Sequence, residues 1–129
     1  MISKSKILHF SEGSGKWSVS LILIRTTVGK GVAAVLTGGE EPHVGAVAIG
    51  IPGPIVHHPE KIKSSTSVFT LFGHMDDQIA VPSATKLAEK LGEPVVVVCG
   101  LHIHSATTDD IKKLIKNSNI VIKKAIKAI

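Results

Sequence analysis

The sequence predicts an α+β domain in which helices pack on one face of a mainly antiparallel sheet. Four aliphatic, strand-like segments precede residue 72, one further apolar run occupies 94–101, and helical periodicity is confined to the segments on either side of that run. Strands followed by helices are typical of this class. The predicted order is β-β-β-β-α-β-α-α with one β-α-β crossover, and 129 residues suit a single domain spanning 1–129.

The strands in the first half of the chain are predicted from the alternation of apolar and polar residues and from the high content of β-branched residues. WSVSLILIRT at 17–26 alternates, and apolar segments follow at 31–37 and 44–50. The short GGEEPH connection between these two predicts an antiparallel hairpin. The proline-rich IPGPIVHHPEK is expected to form a loop before a strand at 65–71, and an additional strand is expected from Ile7 to Ser11.

Helices are predicted on both sides of the 94–101 run. The first ends at Gly92, and Pro82 leaves two starts open: near Val81, or at a short earlier turn kinked at the proline. The second is capped by Thr107 or Thr108, and the polar pair at 117–118 is expected to separate it from a last helical segment.

Composition narrows the protein class. No apolar segment reaches the roughly 18 residues that span a bilayer and no leader is evident, so we expect a soluble, cytoplasmic protein. The formal net charge of +5 comes largely from lysines spaced along the terminal helix, and with 3% aromatic residues a nucleic-acid partner is not expected. Cys99 lies within an apolar run and is interpreted as a small buried residue.

Four histidines are predicted to meet at one rim of the sheet. His102 and His104 alternate in an extended segment, so both point the same way. If neighbouring strands pair as a hairpin and the crossover is parallel, His43 and His74 reach the same rim. These four are the predicted ligands of a divalent metal, with Asp76 and Asp77 as additional oxygen donors. His57 and His58 are expected at the opposite edge, and His9 at the periphery.

The same rim has features of an anion site. Helix amino termini are expected there, Gly38 and Gly39 permit close backbone approach, and Thr107 and Thr108 carry hydroxyl donors. With His43 and His74, these form the predicted cofactor-binding set. An ordinary turn and an ordinary helix cap explain the same residues, and the acidic pair at 109–110 would repel phosphate.

No motif identifies a catalyst. GxSxG, P-loop, GxGxxG and CxxC patterns are missing, so a binding role is the simpler interpretation and no catalytic residue is assigned.

Three segments in order, GGEEPHVGAVAIG, STSVFTLFGHMDD and VVVVCGLHIHSATTDDIKKL, resemble the LpdD-like family of prenylated-flavin chaperones, the small D subunits of gallate-decarboxylase-type systems. They lie between residues 38 and 116. The resemblance implies a fold like that of proteasome-assembly chaperones and a carrier of FMN or prenylated FMN. It also implies two partners, a prenylated-flavin-dependent decarboxylase and a flavin prenyltransferase.

Two other functions remain open. One is a small metal-dependent hydrolase or lyase that uses the histidines. The other is an oligomeric interaction module in which the aliphatic strands or the last helices associate. A homo-oligomer is expected because open sheets must protect their edges.

Overall fold

The computed structural model describes residues 5–71 and 76–129. Within these ranges the chain forms six strands, which make one sheet, and two α-helices, which form a second layer on that sheet. Their bounds are β1 Lys6–Glu12, β2 Val19–Arg25, β3 Val32–Gly39, β4 Ala46–Ile55, β5 His58–Thr70, α1 Asp77–Leu91, β6 Val95–His102 and α2 Thr108–Ala128. No helix of the described ranges is long and apolar enough to cross a membrane.

The sheet has the order β1-β2-β3-β6-β4-β5, and only the β3–β6 pair is parallel. The α+β class, the mainly antiparallel sheet and the crossover through α1 are therefore confirmed, as is the additional strand at the amino terminus. The predicted hairpin between 31–37 and 44–50 is wrong, because β6 lies between these strands. Leu36 and Ala46 both pair with Cys99 of β6. Strands β5 and β6, which are joined by α1, are likewise not neighbours, because β4 lies between them.

Both helices differ in extent from the prediction. Helix α1 begins at Asp77 and includes Pro82 in its second turn. Helix α2 is continuous to Ala128, so the expected break at 117–118 is wrong. Both polar side chains there have internal partners: Asn117 Nδ2 donates to the Trp17 carbonyl at 2.8 Å, and Ser118 Oγ donates to the Leu114 carbonyl at 2.8 Å. Asn117 is therefore satisfied outside the helix, and Ser118 shares the carbonyl of its own helical turn, so neither polar group is left unpaired where the helix continues.

One face of the sheet carries the core. Alternate residues of β2, β3, β4 and β6 are buried on this face, where α2 packs on β1 and β2 and α1 packs on β4, β5 and β6. Close packing is visible at Gly50 of β4, where an added Cβ would lie 2.7 Å from the Ala84 carbonyl of α1. Both helices thus cover the same face, as predicted.

The other face, which we call the open face, carries no helix. Strand register places on it a row of apolar side chains, which we call the apolar row: Ile7, Ile22, Ile24, Ala33, Val35, Val96, Val98, Val47, Ile49, Ile51 and Phe69. Several of these side chains are 39–75% exposed. Contiguous exposed apolar patches of this kind often mark interaction surfaces.

The predicted rim exists in spite of the pairing error. Gly39 of β3 is opposite His102 of β6, and Ala46 of β4 is opposite Thr70 of β5. The ends of β3, β5 and β6 and the start of β4 therefore lie together. We call this edge, with the starts of α1 and α2 beside it, the rim.

Candidate functional site

The β3–β4 connection at 40–45 crosses the end of β6 and forms part of the rim. Its amides bond to successive carbonyls of that strand: Glu40 to His102 at 2.7 Å, His43 to Gly100 at 3.4 Å, and Gly45 to Cys99 at 2.9 Å. Strands about 4.8 Å apart place β3 and β4 about 10 Å from each other, a gap that six residues easily bridge. The short connection is therefore an overpass across β6 and not a hairpin turn.

Glycines make this close crossing possible. A Cβ on Gly100 would lie 1.7 Å from the His43 carbonyl oxygen, and a Cβ on Gly45 would lie 1.8 Å from Asp76 Oδ2. Gly39, with φ of 78°, would meet the His102 carbonyl oxygen at 2.2 Å. A larger residue at position 39 or 100 would overlap backbone, and one at position 45 would displace the Asp76 side chain.

A cavity of about 350 Å³ opens at the rim between the start of α1, the end of β6 and the first turns of α2. Its polar side chains lie together and the rest of its wall is aliphatic. The described lining residues are His43, Asp76, Gln78 and His102, then Ile79, Leu101, Ile103, Ala106, Ile111, Leu114 and Ile115. Apolar walls with a few grouped polar atoms are typical of small-molecule sites.

Asp76 organises the polar end of the cavity. Its side chain is 7% exposed, and Oδ1 accepts the Leu101 amide at 2.9 Å. Oδ2 lies 3.0 Å from Nε2 of His43, whose Nδ1 is 2.8 Å from the Glu41 carbonyl oxygen. Carbonyl and carboxylate oxygens only accept, so each ring nitrogen of His43 faces a hydrogen-bond acceptor.

Cys99 lies close to the Asp76–His43 pair, and its thiol is unreactive. Burial, and secondarily the negative charge of Asp76, raise the pKa of its thiol far above the ordinary value. The thiol stays protonated at neutral pH, which agrees with the prediction of a small buried residue.

His102 and His104 project to the same side, as the alternation predicts, with Ile103 buried between them. Their ring centroids are 5.0 Å apart, and those of His102 and His43 are 6.3 Å apart. Glu41 completes the group, since its Oε1 is 2.8 Å from His104 Nε2. Three of the four predicted metal ligands are thus neighbours at the rim.

Three of the four predicted phosphate-binding residues, Gly38, Gly39 and Thr107, have structural roles. Thr107 caps α2: its hydroxyl accepts the Asp110 amide at 3.1 Å, and Asp110 Oδ2 accepts the Thr107 amide at 3.0 Å. Thr108 is exposed in the first turn. Backbone occupies the space beside both glycines, since a Cβ on Gly38 would lie 2.3 Å from the Ser18 carbonyl oxygen. These residues surround the rim, but none of them lines the cavity.

The remaining candidates lie apart from the cavity or outside the described residues. His74 belongs to the latter group. His57 and His58 lie at the β4–β5 turn, at the far end of the sheet, and His9 bonds to Ser20 Oγ on the open face at 2.7 Å. Asp77 is the first residue of α1.

Sequence reasoning missed Glu41 and most of the cavity wall. Glu41 is two residues before His43 in a loop already singled out, but its position over His104 depends on the overpass across β6. Ile79, Ile111 and Ile115 recur with ordinary helical spacing, so nothing in their pattern separates cavity wall from core.

Comparisons with known proteins identify the family and the fold. The family model of the prenylated flavin chaperone LpdD-like domain matches residues 13–129. The fold is similar to a chain in the crystal structure of a novel chaperone complex for yeast 20S proteasome assembly, with a TM-score of 0.59, 16% identity, and coverage of 98% of this chain and 95% of that one. No match was found among curated proteins. The expected resemblance and fold are confirmed, and the chain belongs to the family of prenylated flavin chaperone LpdD-like domains.

Proposed function

We propose that the protein binds prenylated FMN, or FMN itself, in the rim cavity and delivers it to a prenylated-flavin-dependent decarboxylase. The observation that carries this is the cavity of about 350 Å³ with an aliphatic wall and one polar end, in a chain of the prenylated flavin chaperone family. This volume is at the lower end of the range of small-molecule sites, about 300–1,000 Å³. It suits the ring system of a flavin, with the ribityl phosphate directed outward.

The cavity's chemistry supports binding of a reduced ring. Leu101, Ile103 and Leu114 supply apolar contact, and the site holds no aromatic side chain among its described residues. His43 and His102 offer ring nitrogens at the polar end, where flavin carbonyl and ring nitrogen atoms need partners. The aliphatic side chains would cover part of the surface of an oxidation-sensitive ligand.

In this orientation the phosphate group of the flavin would lie at the rim. First-turn amides of α2, beside Thr107 and Thr108, are donors that the rim offers to a phosphate. Gly38 and Gly39 shape the neighbouring strand end and act indirectly, by letting β3 approach β2 and β6.

Anaerobic titration of the protein with FMN and with reduced prenylated FMN, followed by absorbance and fluorescence, tests the proposal. The variant Ala106→Trp places a large ring in the cavity and should weaken binding at least tenfold. Ala128→Trp, at the other end of α2 and equally exposed, is the matched control and should bind like the wild type. If the wild type binds neither flavin without oxygen, the carrier function is rejected.

We also propose a homodimer formed through the open face. Strands about 4.8 Å apart and about 20 Å long give the six-stranded face a flat area of roughly 500–600 Å². Side chains protruding from it increase the accessible area toward the roughly 800 Å² per partner of a standard interface. The apolar row itself carries no charge, so two copies can bring it face to face without repulsion between like charges, and Lys63, opposite Gly53 at the β5 edge, lies outside it.

A hydrolase or lyase using the same histidines is the alternative. It predicts turnover that a chelator abolishes and no preference for flavin. Delivery to a decarboxylase predicts the reverse: cofactor transfer that raises decarboxylase activity, with no turnover by this protein alone.

A further inference from the structure

The group formed by Glu41, His102 and His104 has the composition of a transition-metal site. One nitrogen from each ring and one carboxylate oxygen all lie within 4.8 Å of one another. All three side chains are exposed, so an ion can reach them and keep water ligands. Two imidazoles and one carboxylate are ligands that Zn²⁺, Co²⁺, Ni²⁺ and Fe²⁺ accept.

The backbone holds this group in place. Glu40 and Glu41 both donate their amides to the His102 carbonyl, at 2.7 and 3.3 Å, which ties the overpass to the end of β6. The His104 amide in turn donates to Glu40 Oε1 at 2.9 Å. The side chains therefore project from segments that are fixed to each other, which lowers the entropy lost when an ion orders them.

His43 is a poor fourth ligand, although the sequence analysis placed it in the metal set. Both its ring nitrogens face oxygen partners, the Glu41 carbonyl and Asp76 Oδ2. A ligating nitrogen must present a lone pair, and each of these contacts requires a proton. Glu41 takes its place in the ligand set. The His104–Glu41 contact differs from those of His43 because an ion can replace the shared proton.

We propose that Glu41, His102 and His104 bind a divalent transition-metal ion at the mouth of the rim cavity. Three protein ligands leave at least one coordination position for water or for an anionic oxygen. His102 also lines the cavity, so that position lies next to the proposed flavin site. A divalent ion neutralises the negative local charge of Glu40 and Glu41, which otherwise disfavours a phosphate.

The test is titration of untagged, chelator-treated protein with Co²⁺ and Zn²⁺ in the absence of flavin. The Co²⁺ absorption spectrum reports ligand type, and calorimetry with Zn²⁺ gives stoichiometry. One ion per chain is expected, with binding weakened at least tenfold by His102→Ala and by His104→Ala, and weakened by Glu41→Gln.

The β4–β5 turn offers a matched control. His58 and Glu60 form a similarly exposed pair at 3.5 Å, and the adjacent His57 does not complete a three-ligand group with them. His58→Ala and Glu60→Gln should leave metal binding unchanged. The proposal is overturned if the wild type binds no ion stoichiometrically, or if the control variants weaken binding as much as the rim variants do. Because no flavin is present, failure here leaves the proposed carrier function standing, and failure of flavin binding leaves the metal site standing.

Discussion

Asp76 joins α1 to the overpass through His43: its Oδ2 lies 3.0 Å from His43 Nε2, while its Oδ1 accepts the Leu101 amide of β6 at 2.9 Å. One buried carboxylate thereby connects three segments at the polar end of the cavity. Its removal should affect both stability and ligand binding.

We expect Asp76→Ala to lower the free energy of unfolding by about 1–3 kcal/mol, because the buried Leu101 amide loses its acceptor. Asp76→Asn keeps an acceptor oxygen and should cost less. Urea unfolding measures both, with Asp77→Ala, the next residue, as the control expected to change little. Equal losses for the alanine variants at 76 and 77 would contradict this role.

Gly100→Ala should destabilise the protein by about 1–3 kcal/mol or more, since the new methyl group overlaps the His43 carbonyl oxygen. Gly53→Ala in β4 is the control, because nothing lies within 4 Å of the added atom. In thermal unfolding, the midpoint of Gly100→Ala should be clearly lower than that of Gly53→Ala. A Gly100→Ala protein as stable as the Gly53→Ala protein would show that the overpass does not lie on β6.

Stability should fall in acid through Asp110. The Thr107 amide, then the Trp17 indole, lower the pKa of this carboxyl from 3.8 to about 2. A folded pKa below the unfolded one stabilises the protein above about pH 4, and that contribution disappears as the pH falls from about 4 to about 2. Urea midpoints measured across this range should drop in the wild type and drop less in Asp110→Asn. A wild-type midpoint independent of pH here would contradict the prediction.

Val35→Glu should convert the proposed dimer to a monomer, because it puts a charge at the centre of the open face. Val28→Glu, in the exposed β2–β3 turn, is the control and should remain dimeric. Light scattering after gel filtration gives the mass of each. A monomeric wild type would reject the dimer, and a dimeric Val35→Glu protein would place its interface elsewhere.

The Cys99 thiol should resist modification in the native protein. It is fully buried and its pKa is raised, so a thiol reagent should react only after unfolding. Absorbance with a disulfide reagent, before and after addition of denaturant, measures this. Rapid reaction of the native protein would contradict its buried position.

Local pattern by itself determined most element types, the buried Cys99, a helix cap at Thr107 or Thr108 and the shared direction of His102 and His104, because each depends on residues close in sequence. The loop expected over IPGPIVHHPEK is wrong, because β4 extends to Ile55 and β5 begins at His58, and the pairing of these two strands satisfies a backbone that the prolines alone did not predict to be extended. The family resemblance was also available from short segments in order. Strand pairing could not be predicted in this way. A six-residue connection can lead into a neighbouring strand or pass over an intervening one, and packing against α1 and α2 decides between these two possibilities. That choice placed β6 at the centre of the sheet. It set Glu41 beside His104, joined Asp76 to His43 and left a cavity between two helix starts, all of which are relationships between residues distant in sequence.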